Sequence, residues 1–301
     1  MRRFLPLIAV LALLAGCGGD DSGSSPEGTL ALDFQPNGVH AGIYQSGLKI
    51  RVPGQSTDSL KLLAAGRADM SVVDIHDLGL ARQAGSDIVG VGALVQRPLA
   101  AVIARRDDVR RPRDLEGKRV GVTGLPSDEA VLRAVVEHDG GDYDRVRKIT
   151  IGFSAVPSLI AGKVDAVVAF WNAEGVTLRR RGVATREFRV DDYGAPRYPE
   201  LVLAVKRTTL EEHEALVDDM LGAIAEGTDT ALRDREDTVD KLVRASGADT
   251  PLVRAELTAV APALQPPVEL KLAALDAWAR FDARFGILRH EPDVSQAFFV
   301  R

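Results

Sequence analysis

One cysteine in 301 residues, Cys17, rules out an internal disulfide. Positive charge is in deficit too: 38 Lys and Arg stand against 43 Asp and Glu, a formal charge of −5 that becomes −7 once Arg2 and Arg3 are set aside with the leading segment. That sign leaves no electrostatic footprint for nucleic acid, whose binding rests on phosphate neutralisation, so no nucleic-acid partner is expected. No Gly-x-Ser-x-Gly elbow, P-loop or dinucleotide fingerprint occurs in the chain. Long apolar runs are missing apart from residues 4–16, a stretch too short to cross about 30 Å of hydrocarbon as a finished helix. What remains is 46% hydrophobic and 27% charged, with 28 Gly and 15 Pro. That balance belongs to a globular protein and excludes disordered, collagen-like and disulfide-scaffold classes.

The beginning of the chain is the most readable part. Arg2 and Arg3 precede the apolar run, which ends Leu14-Ala15-Gly16-Cys17. This is the layout of an export signal over residues 1–16, and its end resembles the lipobox of bacterial lipoproteins, whose cysteine is acylated after cleavage. Cys17 is therefore the expected lipidation site. Residues 17–28, rich in Gly, Ser and Asp, form a tether with nothing apolar to bury. The resulting expectation is a protein leashed by lipid to the outer face of a cell membrane, facing outside the cytoplasm.

From residue 29 short β-like runs alternate with amphipathic helical runs. Strands are expected at residues 30–34, 48–52, 70–75, 88–95, 99–104, 119–123, 148–151, 164–170, 186–190 and 201–205. Between them, helices open at Ser56 or Thr57, at Ser127 as an N-cap, and near Glu174. Beyond Val205 only helices follow, with Thr209 and Glu212 as a capping box and a final helix over residues 270–285. Such alternation predicts an α/β fold of mainly parallel sheets with helices on both faces. The runs 99–104 and 201–205, each preceded by a proline-containing stretch, would carry the chain out to a second lobe and back. This gives lobe one as residues 29–98 plus 200–301, lobe two as 99–199, and a helical C-terminal tail.

In open α/β sheets, ligands sit outside the carboxyl ends of the strands, so two facing sheets make a cleft. The residues expected there in lobe one are Phe34, Asn37, His40, Tyr44, Thr57, Asp74, His76 and Gln96. Lobe two contributes Ser127, Asp128, Trp171, Asn172, Glu174 and Tyr193. Aromatic rings beside amide and carboxylate acceptors suit a flat, nitrogen-rich heterocycle. The blander reading makes Phe34 a core residue and His76 a hydrogen-bonding group at a helix start. No metal is expected, because no cysteine joins His40, His76, Asp74 and Asp77, and no histidine pair has helical ligand spacing.

Asp33-Phe34-Gln35-Pro36-Asn37 followed by His40-Ala41-Gly42-Ile43-Tyr44 resembles the opening of the thiamine-pyrimidine-precursor family of solute-binding proteins. The segments 62–69 and 114–121 and the turn Trp171-Asn172-Ala173-Glu174-Gly175 are similar to it as well, over residues 30 to 231 in all. The resemblance implies a type II periplasmic-binding-protein fold, a hinged monomer with no cofactor, and an ABC permease as partner. It also implies a rival, because the fungal enzyme that makes the thiamine pyrimidine shares the fold. There the resemblance implies pyridoxal phosphate on a lysine, with a histidine of the enzyme as substrate; His76 falls at that histidine, but Val72 stands where the lysine would be and the cysteine-rich stretch is missing. One departure concerns the first helix. Only Gln45-Ser46-Gly47 separates Tyr44 from the next strand, so the helix is cut to about one and a half turns. Either a neighbouring helix covers the gap, or lobe one is partly compromised.

Overall fold

The computed structural model describes residues 27–54 and 58–301. Its first part holds β1 (Thr29–Ala31), α1 (Ala41–Gln45), β2 (Lys49–Arg51), α2 (Asp58–Ala64), β3 (Met70–Asp74), α3 (Ile75–Gln83) and β4 (Ile88–Ala93). A second part follows with β5 (Ala100–Arg105), β6 (Arg119–Val122), α4 (Pro126–His138), β7 (Arg147–Thr150), α5 (Ala155–Ile160), β8 (Ala166–Phe170), α6 (Glu174–Arg180) and β9 (Thr185–Arg189). The chain then returns through β10 (Leu201–Lys206) into α7 (Arg207–Glu212), α8 (Glu214–Arg233), α9 (Arg235–Ser246), α10 (Thr250–Val260), α11 (Leu272–Arg284) and α12 (Val294–Ala297).

Two five-stranded sheets result, ordered β2-β1-β3-β10-β4 and β7-β6-β8-β5-β9. In each, one strand runs against the rest: β10 is antiparallel to β3 and β4, and β5 is antiparallel to β8 and β9. The segments expected to be connectors are thus themselves the reversed strands of the sheets they enter. The connections proper are residues 94–99 and 190–200, and they are tied together: the Glu200 carboxylate accepts the Leu99 amide at 2.9 Å.

Helices cover both faces of the sheets, as the apolar runs require. Along β10, Leu201, Leu203 and Val205 enter one core, which α8, α9 and α10 close. The alternate residues Val202 and Ala204 enter the other core, closed by α11 and α12 with Trp278 and Phe298. The short α1 is accommodated by the first of the two outcomes anticipated for it. A neighbouring helix covers the gap: α8 lies so close that a Cβ on Gly227 would strike the Gly42 carbonyl oxygen, and one on Gly42 would strike Thr228. Only glycine permits that approach.

Two helix starts differ from expectation. Leu125 holds the N-cap position of α4, Pro126 opens the helix, and Ser127 is its second residue, since proline is pre-set for a first helical turn. Thr209 lies inside α7, because β10 passes directly into that helix, with the Arg207 amide bonded to the Asp87 carbonyl at 3.0 Å. No helix among the described residues is long and apolar enough to cross a membrane. Cys17 and Thr57 lie outside the described residues.

Candidate functional site

The carboxyl ends of β1, β3, β6, β7 and β8 converge on one cleft. From the first sheet's side come Asp33, Phe34 and Asn37 after β1, then Asp74 and Asp77 at the start of α3. The second sheet contributes Thr123, Ser127 and Asp128 after β6, Phe153 after β7, and Phe170, Asn172 and Glu174 after β8. Glu200, between the two halves, forms part of the wall.

Local hydrogen bonds fix most of these groups. Asn37 accepts the Val39 amide at 3.0 Å, and His40 Nε2 lies 2.8 Å from Asp33. Asp74 caps α3 by accepting the His76 amide at 2.8 Å. Asp128 accepts the Thr123 hydroxyl at 2.7 Å, and Glu174 accepts the Phe170 amide at 3.2 Å. The rings of Phe34 and Phe153, one from each half, stand 6.1 Å apart at 38°, and Phe153 is 60% exposed. Asn172 is the exception: it is 1% exposed and its Oδ1 has no hydrogen-bond partner. Such an acceptor is costly to leave unmade, and its residue stands in the cleft wall. Burial raises the carboxyls of Asp77, Asp128, Glu174 and Glu200, and that of Asp74 well above its ordinary range.

Behind this wall is a polar cluster sealed from solvent. His76 is 0% exposed; its Nδ1 lies 2.8 Å from Asp282, its Nε2 3.2 Å from the Tyr198 hydroxyl and 3.9 Å from Glu200. Burial works against the charged imidazole, but the Asp282 carboxylate, with Asp74 and Glu200, outweighs it and lifts the His76 pKa to about 10. Candidate ligand atoms of Asp74, His76 and Glu200 lie within 4.8 Å of one another. With Asp282 and Tyr198 on its two nitrogens, His76 is already engaged.

Of the sequence candidates, Phe34, Asn37, Asp74, Ser127, Asp128, Asn172 and Glu174 line the cleft. The others do not. Trp171 is 2% exposed, its indole N–H donates to the Pro98 carbonyl at 3.1 Å, and the Arg189 guanidinium lies 4.1 Å from its ring centroid. A ring so covered offers no face to a ligand. Tyr193 packs edge-on against Phe188 and His138 at a separate hollow, and Tyr44 packs against the apolar core beneath α8. Gln96 donates to the carbonyls of Pro266 and Glu269 at 2.8 and 2.9 Å. His40 supports Asp33 from the interior, and His76 supports the wall from behind. Phe153, Phe170, Asp77, Thr123 and Glu200 belong to the cleft although they were not among the candidates; extending the strand-end rule to β7 points directly at Phe153.

The chain is similar to known proteins in sequence and in fold. Over 269 residues the chain is 29% identical to the formylaminopyrimidine-binding protein of Halalkalibacterium halodurans, covering 84% of this chain and 82% of that protein. It is 22% identical to the 4-amino-5-hydroxymethyl-2-methylpyrimidine phosphate synthase of Legionella pneumophila, over 91% of each. Among solved structures, the periplasmic aliphatic sulphonate binding protein of Escherichia coli superposes with a TM-score of 0.73 at 16% identity, covering 90% of this chain and 92% of that one. The two-sheet α/β fold is therefore that of periplasmic binding proteins. The model of the family described as NMT1/THI5 like matches residues 43–238, and the chain belongs to that family.

Proposed function

We propose that the protein is the solute-binding lipoprotein of an ABC importer, displayed outside the cytoplasm through Cys17, and that it takes a small nitrogen heterocycle such as a thiamine pyrimidine precursor. The cleft carries this reading: phenyl rings from both halves face a space walled by carboxylates and one unpaired buried amide oxygen. The name of the Halalkalibacterium relative supports the ligand class. The mature lobes, 29–98 with 200–301 and 99–199, would hinge at the connections tied by Glu200, so that the first holds the ligand while the second closes over it. The closed form is what a permease would receive.

Two observations favour a binder over a pyrimidine synthase. Val72, at the position where the resemblance puts the cofactor lysine, is a buried β3 residue, and no lysine or arginine lines the cleft among the described residues. Neither a Schiff base nor a cofactor phosphate finds its partner there, so pyridoxal phosphate does not fit. His76, the candidate substrate histidine of that rival, is sealed behind the wall.

A thermal-shift experiment tests the reading. At a hundredfold excess over its dissociation constant an aminopyrimidine stabilises the fold by about 2.7 kcal/mol, which moves the midpoint of a chain this size up by several degrees. No movement with any pyrimidine, in a sample that unfolds cooperatively, contradicts it.

A further inference from the structure

The cleft wall carries six carboxylates, Asp33, Asp74, Asp77, Asp128, Glu174 and Glu200. No lysine, arginine or histidine lines it among the described residues, and none of the six forms an ion pair with lysine or arginine there. Two long helices, α3 and α4, begin at the cleft. A helix start is ordinarily a seat for an anion, yet here Asp74 at the N-cap of α3 and Asp128 in the first turn of α4 already occupy both. Asp77, also in the first turn of α3, makes no hydrogen bond among the described residues; its charge repels Asp74 beside it and Asp128 across the cleft. Asn172 adds an independent sign: it stands in the wall of the same space, and its buried side-chain oxygen lacks a donor.

We infer that the cleft takes its ligand as an organic cation, with a protonated amino group set among Asp74, Asp77 and Asp128 and a ring amino group donating to Asn172. The inference rests on the pyrimidine reading above and narrows it. Carboxylates brought together from two halves of the molecule disfavour one another's charge; His76 behind the wall offsets this only in part, and a cation entering between them offsets the rest. Phe34, Phe153 and Phe170 suit the same guest, since aromatic faces attract positive charge. An alkyl sulfonate meets only like charge here, although the fold matches a sulfonate binder. A neutral formamide brings the acidic cluster no positive charge.

Calorimetric titration of the protein with 4-amino-5-aminomethyl-2-methylpyrimidine, an ammonium ion at pH 7, against its neutral N-formyl and 5-hydroxymethyl counterparts tests this, with thiamine and hexanesulfonate as further probes. The ammonium form is expected to bind at least about tenfold more tightly than either neutral form, and Asp77→Asn to bring that ratio towards one. Equal or tighter binding of the neutral forms, or an Asp77→Asn variant that weakens all three alike, overturns the cation inference and leaves the pyrimidine reading standing. Binding of thiamine with none of the three pyrimidines supports the cation and overturns the precursor as ligand. Binding of hexanesulfonate alone overturns both.

Discussion

Asp282→Asn is expected to destabilise the fold by about 3 to 5 kcal/mol at pH 6, because it leaves a buried imidazolium without its nearest counter-charge. Asp282 and His76 are both sealed from solvent and meet at 2.8 Å. The size of the loss should depend on pH in a defined direction. An unfolded-chain histidine titrates near 6.5 and His76 in the fold near 10, so the pair's stabilisation is complete below about pH 6.5 and fades as pH rises through 10. The raised carboxyls of Asp74 and Glu200 lower the stability of both proteins as pH rises, and so largely cancel in the difference between them. Urea denaturation at pH 6, 8 and 10 should therefore show the difference between the native protein and the variant shrinking at each step. A difference that stays constant over that range would mean His76 is not charged in the fold.

Asn172→Leu should separate binding from folding. The substitution keeps the volume at a site only 1% exposed and removes an amide whose oxygen has no partner. An unpaired buried acceptor costs a protein about 1 to 3 kcal/mol, so the variant should unfold at an equal or higher temperature than the native chain. Its affinity for an aminopyrimidine should fall by about ten- to a hundredfold, the worth of a hydrogen bond made only with ligand present. Calorimetry and a melting curve on the same sample read both quantities. Loss of stability together with retained affinity would make Asn172 a structural residue whose partner is internal.

Much of the fold is legible in the order of residues because burial on both faces writes β5, β8 and β10 as near-continuous Val, Ile, Leu and Ala runs, and β3 and β4 as apolar runs broken only by small residues, separated by helical patterns. The site is legible only in part. Strand ends locate Phe34, Asp74, Asp128, Asn172 and Glu174, since topology alone puts them at the cleft. Trp171 misleads because its neighbours Asn172 and Glu174 look like an exposed turn, whereas the turn is folded against the connection at Pro98 and the indole N–H finds a carbonyl there. His76 misleads in the opposite way. Its partners, Asp282 and Tyr198, are 206 and 122 residues distant, a separation at which local pattern carries no information. Phe153 sits between Gly152 and Ser154, a context that reads as solvent-facing loop although the expected strand at 148–151 ends just before it, at the cleft.

The central claim is that the ligand binds between the two sheets, against both. Hydrogen exchange with and without saturating 4-amino-5-aminomethyl-2-methylpyrimidine tests it most directly. The account predicts slower exchange in four separate segments, residues 33–37, 74–77, 123–128 and 170–174, which only the cleft brings together. Unchanged exchange in those segments, or protection confined to one half of the molecule, would contradict it.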